Sequence, residues 1–218
     1  NKRKKKHIYL HMWSGFFEQR DFDGDEIIPG VYLGSYDAAC AEYKEFESRN
    51  IKFVLQIGDF MEPKYPTKCT YFICDCPDIS STNILPNFPL IYDFIDKAVE
   101  SKQGILIHCQ AGISRSTTSL SSYLMKKRGM SFADCLKLIR LKRTFVSPNV
   151  GFEKQLRAFE FVALGNTDAK AAFDKFMDQS APRCRIVAPN GDVQEFPEHK
   201  GSQASELDAN ILIVPANE

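Results

Sequence analysis

Between Asp25 and Gly165, short apolar runs alternate with longer segments in which apolar residues recur every three or four positions. That alternation of period-2 and period-3.6 segments is the mark of an α/β domain. EIIPGVYLGS reads as strand and turn, with Val31 and Leu33 on one face and Gly34 closing it. Residues 37–49, DAACAEYKEFESR, predict a helix, and KFVLQIGD (52–59) and TYFICDC (70–76) are short β-rich runs. Between Pro86 and Gly104, the positions Leu90, Ile91, Phe94, Ile95, Ala98 and Val99 recur at helical spacing, with Pro89 tolerated near the start and Gly104 as the stop. GILIH (104–108) is a continuous apolar strand of the kind buried on both faces of a parallel sheet. Further helices are expected over 116–128, stopped by Gly129; from Ser131, whose capping box with Asp134 opens it, through Arg143; and over 149–164, before Gly165. The expected fold is a three-layer α/β domain over residues 26–164, a central and mainly parallel sheet flanked by helices.

Past Gly165 the pattern weakens. KAAFDKFMD (170–178) predicts one short helix, and Asn190-Gly191 between RIVAP and DVQEF is the favoured signal for a type I′ hairpin. A polar linker (198–208) and a strand-like ANILIVPANE complete residues 165–218, read as a C-terminal extension of unknown role.

Composition narrows the class. At 218 residues with 44% hydrophobic and 26% charged residues, the chain sits near globular averages, which excludes membrane, collagen-like and wholly disordered classes. Apolar runs such as Ile211–Val214 are far too short to span a bilayer. The formal net charge is zero but unevenly placed: residues 1–10 carry five basic groups and no acid, whereas from Asn166 onward nine acids face five bases. The broad basic surface that nucleic-acid binding needs is therefore missing, and residues 1–25 read as a basic, disordered segment able to act as an electrostatic hook. Seven cysteines, odd in number and irregularly spaced, together with no secretory h-region, point to free thiols in a reducing compartment, cytoplasmic and/or nuclear. Cys74 and Cys76 are one residue apart, only four His are present and no second Cys pair follows, so no zinc site or other metal is expected, and no cofactor.

Chemistry concentrates in ILIHCQAGISRS, residues 105–116: a buried strand, Cys109, five residues, Arg115, Ser116, then a helix. A loop of this kind gathers backbone N–H groups and a helix N-terminus around one point, a site for a phosphate-sized anion built from Gln110, Ala111, Gly112, Ile113, Ser114 and Arg115. The same groups favour a thiolate at Cys109, the nucleophilic form of cysteine. Arg115 can hold two phosphate oxygens bidentately, as lysine cannot. Gly112 permits a positive φ, and the Ser116 hydroxyl can donate to the sulfur.

His108-Cys109-x5-Arg115-Ser116 resembles the signature of protein tyrosine phosphatases, and HCQAGISRS the version found in dual-specificity and mitogen-activated protein kinase phosphatases. IIPGVYLGS is similar to that family's opening strand and FVSPNVGFEKQL to the segment leading into its last helix. The resemblance implies an enzyme that hydrolyses phosphotyrosine and phosphoserine or phosphothreonine through a phosphocysteine, with an aspartate about thirty residues before the nucleophile as general acid. In CDCPDISSTNILPNF, Asp78 stands five residues before Asn83 and fits the family spacing better than Asp75. Some relatives protect the nucleophile with a second cysteine, so Cys74 or Cys76 is either a bridging partner of Cys109 or an ordinary strand cysteine. Lipid-directed relatives carry lysines in the loop; Gln110, Ala111, Ile113 and Ser114 are uncharged, which favours a phosphoprotein. Lys2 to Lys6 followed by Ile8-Tyr9-Leu10 is similar to segments that dock on mitogen-activated protein kinases, the alternatives being chance, nuclear targeting or attraction to anionic surfaces. A catalytically silent phosphate-binding module, or a phosphatase for a non-protein ester, are the competing readings.

Overall fold

A computed structural model describes residues 21–201. The predicted basic hook at Lys2–Leu10 and the strand-like 209–218 lie outside the described residues. β1 (Gly24–Ile28) and β2 (Val31–Gly34) form a hairpin across Pro29-Gly30; α1 (Tyr36–Ala39) and α2 (Tyr43–Ser48) lead to β3 (Ile51–Ile57) and β4 (Thr70–Cys74). α3 (Phe88–Glu100), β5 (Gly104–His108), α4 (Arg115–Arg128), α5 (Phe132–Arg140) and α6 (Val150–Leu164) follow, then α7 (Lys170–Met177) and a second hairpin, β6 (Cys184–Val187) and β7 (Val193–Phe196). All the strands join one sheet in the order β1-β2-β5-β3-β4-β6-β7. Its middle, β2-β5-β3-β4, is parallel, and the outer strands β1, β6 and β7 are antiparallel to their neighbours.

The sheet is buried on both faces, which is why its central strands read as unbroken apolar runs. Phe53, Leu55 and Ile57 of β3 join Phe88, Ile91, Phe94 and Ile95 of the α3 region and Leu120 and Leu124 of α4 in the larger cluster. Val54 and Leu106 face the smaller cluster on the opposite side, with Phe46 and Ala38. α4 begins RSTTSLSSY and would pass for a surface helix, yet its residues through Met125 are buried. Its hydroxyls supply the explanation: those of Thr117, Thr118, Ser119 and Ser122 donate to carbonyls three or four residues back and so go inward already satisfied, whereas the buried Ser121 hydroxyl has no partner among the described residues.

Several elements differ from expectation. The helix predicted over 37–49 is broken into α1 and α2, because Lys64 Nζ and Tyr65 Oη donate to the carbonyls of Cys40 and Ala41 and so satisfy the groups freed by the break. α3 ends at Glu100, with Lys102 in the left-handed region (φ 58°), and Gly104 opens the next strand instead of stopping the helix. α5 stops at Arg140, not Arg143, and Arg143 turns inward. The segment predicted as disordered, 1–25, gives up its last residues to the fold: Phe22 is buried and β1 starts at Gly24. Asn190-Gly191 does sit in a hairpin turn, but only Gly191 has positive φ (91°) and the Gly191 N–H donates to Ala188 O, so the turn is not type I′. Most consequentially, the C-terminal extension is part of the sheet, Tyr71–Cys74 pairing with Cys184–Val187.

Candidate active site

β5 delivers Cys109 to the end of the parallel sheet, and the chain then turns through Gln110–Ser114 into α4, whose first residue is Arg115. The loop carbonyls are engaged from outside: Gln110 O accepts from Tyr36 N–H (3.1 Å), Ala111 O and Gly112 O from the Arg143 guanidinium (3.3 and 2.9 Å), and Ile113 O from Ser147 N–H (3.0 Å). In a planar trans peptide the following N–H points the opposite way, so the amides of Ala111 to Ser114 face the hollow of the loop. Gly112 has φ 67°, and a Cβ there would lie 2.6 Å from both Gly34 backbone and Arg143, so no other residue fits.

Cys109 lies on the floor of this hollow, with Sγ 3.3 Å from Ser116 Oγ. Burial by itself would raise its pKa, but hydrogen bonds from the Ser116 hydroxyl and amide, the charge of Arg115 and the Ile113 amide outweigh it and hold the thiol below its ordinary value. Cys69 and Cys135 show the contrast: with no such cradle, burial pushes both up to about 12. His108 is fully buried, and desolvation, abetted by Arg115, lowers its pKa to about 4, so its ring is neutral behind Cys109.

Arg115 is braced from the other side. Its Nη1 donates to Cys76 O (3.3 Å), its Nε lies 3.5 Å from Asp78 Oδ2, and Nη1 lies 3.9 Å from Asp59 Oδ1. A Cβ on Gly58 would fall 2.7 Å from Nη1, so glycine at 58 leaves the space the guanidinium fills. Asp78 is fixed at the rim by the Ser114 hydroxyl and Asn149 Nδ2, each donating to Oδ1 at 2.8 Å. Asp75 points elsewhere and is bound by Arg183 (2.5 Å) and Arg185 (3.4 Å). The structure thus brings together Cys109, Arg115, Ser116, Asp78 and the loop Gln110–Ser114, and leaves Asp75 outside. All the cysteines are free thiols. Cys74 Sγ accepts from Asn87 Nδ2 (3.6 Å), and the thiols that act on its titration are those of Cys184 and Cys76.

Sequence reasoning missed three supports. Arg143, 1% exposed, pairs with Asp25 (2.8 Å) and Asp23 (3.1 Å) while holding the loop carbonyls. Gln155 Oε1 accepts from the amides of Ile84 and Leu85, and its Nε2 donates to Thr82 O, clamping the segment after Asp78. Asn149 caps α6 with its Oδ1 while its Nδ2 holds Asp78. The asparagine before an apolar helical run was a legible cap signal; nothing local marks Arg143 or Gln155.

Residues 31–161 match the family model of the dual specificity phosphatase catalytic domain. The chain is 41% identical over 145 residues to dual specificity protein phosphatase 1B of Arabidopsis thaliana, covering 66% of this chain and 86% of that one. It is 35% identical over 137 residues to a Dictyostelium discoideum MAP kinase phosphatase with leucine-rich repeats, 62% of this chain but 19% of that protein. Among solved structures, the human tyrosine phosphatase-like serine/threonine/tyrosine-interacting protein superposes with a TM-score of 0.62 at 29% identity, over 65% of this chain and 97% of that one. Matched over more than half its length by that model, and along nearly all of the Arabidopsis protein, the chain belongs to the dual specificity protein phosphatases, a family of cysteine-dependent enzymes.

Proposed function

We propose that the chain hydrolyses phosphotyrosine and phosphoserine or phosphothreonine in proteins through a phosphocysteine at Cys109. The observation that carries this reading is a thiol of lowered pKa beneath inward-facing amides and beside a guanidinium. Sγ attacks phosphorus in line and the bond to the substrate oxygen breaks, with Asp78 donating the proton that oxygen needs. Arg115 and the loop amides hold the phosphoryl oxygens and gain strength as charge spreads over them. Water then attacks phosphorus, its proton passing to Asp78, and the S–P bond breaks to return a thiolate that Ser116 stabilises. A mitogen-activated protein kinase is the favoured substrate class, supported by the Dictyostelium relative's name and by the basic-then-apolar order of Lys2–Leu10.

Cys109→Ser is expected to abolish turnover of a small aryl phosphate while retaining phosphopeptide binding. Appreciable residual turnover would refute the nucleophile. Failure of the unmodified protein to hydrolyse any phosphate ester, with binding intact, would make it a phosphate-reading module instead.

A further inference from the structure

A groove of about 620 Å³ opens beside the phosphate cradle, within the usual size of a ligand site. It begins at Gly58 and Asp59, and Asp59 Oδ1 lies 3.9 Å from Arg115 Nη1, so the groove adjoins the guanidinium of the cradle. Its far wall, Ser180 to Arg183 with Arg185 and Glu198, lies beyond the stretch that matches the family model, so this chain's C-terminal extension completes a groove whose near wall lies in the shared domain.

Two features of the lining point to one kind of occupant. Phe60 stands at the edge 98% exposed, with φ 59°. A bulky residue in the left-handed region and a bare aromatic ring each cost free energy, and such strain concentrates where a ligand is gripped. The polar lining is biased toward acceptors: the carboxylates of Asp59, Glu62, Asp75 and Glu198 outnumber the guanidinium groups of Arg183 and Arg185, both of which Asp75 engages. Asn83, on the same wall, is held in place by donating both amide hydrogens to Phe176 O and Gln179 O. The site asks for a cationic hydrogen-bond donor with an apolar stem.

We propose that this groove is a subsite for a lysine or arginine flanking the phosphorylated residue of a protein substrate, its stem and charge against the Phe60 ring and its donors toward the carboxylates. This rests on the protein-phosphatase reading, and the test separates the two. Binding of the full Cys109→Ser chain to two fluorescent phosphopeptides, identical except for Lys or Glu at the positions flanking the phosphoresidue, is measured by anisotropy. The Lys peptide is expected to bind about tenfold tighter, the sum of exposed charge pairs and one cation–π contact. Phe60→Ala should shrink that preference and Glu62→Lys with Glu198→Lys should reverse it; all three side chains are exposed, so folding is not at stake. Equal affinity for the two peptides, or a preference indifferent to these substitutions, overturns the subsite even if aryl phosphate is hydrolysed. Loss of aryl-phosphate hydrolysis in the unmodified protein, with the Lys preference and its reversal intact, sinks the enzyme reading alone and upholds the subsite.

Discussion

Two aspartates three residues apart have different fates because of what each meets. Asp75 meets Arg183 and Arg185, whereas Asp78 meets Ser114, Asn149 and Arg115 at the mouth of the cradle. Asp78→Asn is therefore expected to slow esters with poor leaving groups by about 10²-fold or more and good aryl esters far less. Asp75→Asn should leave the dependence on leaving group unchanged, and a series of substituted aryl phosphates reads both outcomes. Ser116 is open to a pH test. Its hydroxyl favours the thiolate, so removing it makes the proton harder to lose and raises the pKa of Cys109. In Ser116→Ala the acid limb of kcat/KM should move to higher pH, and an unmoved limb would deny Ser116 that role. Cys109, Arg115 and Ser116 were legible because they lie within eight consecutive residues. Arg143 was not, since its partners Asp23 and Asp25 lie 120 and 118 positions away and only folding joins them.

At the scale of elements, an anion-binding loop needs its carbonyls pulled outward, and here one buried arginine does that for two successive peptides. Arg143→Met keeps the bulk and loses the charge, leaving Asp23 and Asp25 facing a hydrocarbon. Since Asp23 keeps contact with water, the expected loss is about 3 kcal/mol, the low end for breaking a buried pair. A lower urea midpoint, partly recovered by adding Asp23→Asn and Asp25→Asn, would confirm it; an unchanged midpoint would refute the brace. Helices and strands with a one-sided apolar pattern, such as α3, were placed well from sequence. The pattern failed where a distant side chain decided the backbone: Lys64 and Tyr65 at the break between α1 and α2, and the inward turn of Arg143 after α5. α4 was recognised as a helix, but its burial was hidden by hydroxyls that fold back on their own carbonyls.

For the whole molecule, the stretch shared with the family, 31–161, is shorter than the sheet, which runs from Gly24 to Phe196. A hairpin signal in RIVAPNGDVQEF was visible because turn chemistry is local. Its destination was not, because a sheet edge accepts strands according to register and shape that no short window of sequence records. β6 lies against β4 from Tyr71 to Cys74, and Asp75 N–H donates to Arg183 O just beyond. Without that hairpin, TYFIC would be a bare rim of unpaired amides and carbonyls flanked by apolar side chains, a template for other molecules of the same kind. A chain cut after Gly165 is thus expected to self-associate where the intact chain stays dispersed, as light scattering would show, and a cut chain that stayed dispersed would count against it. Residues 184–196 act as a selvedge, the finished border that keeps a woven cloth from joining or unravelling at its margin.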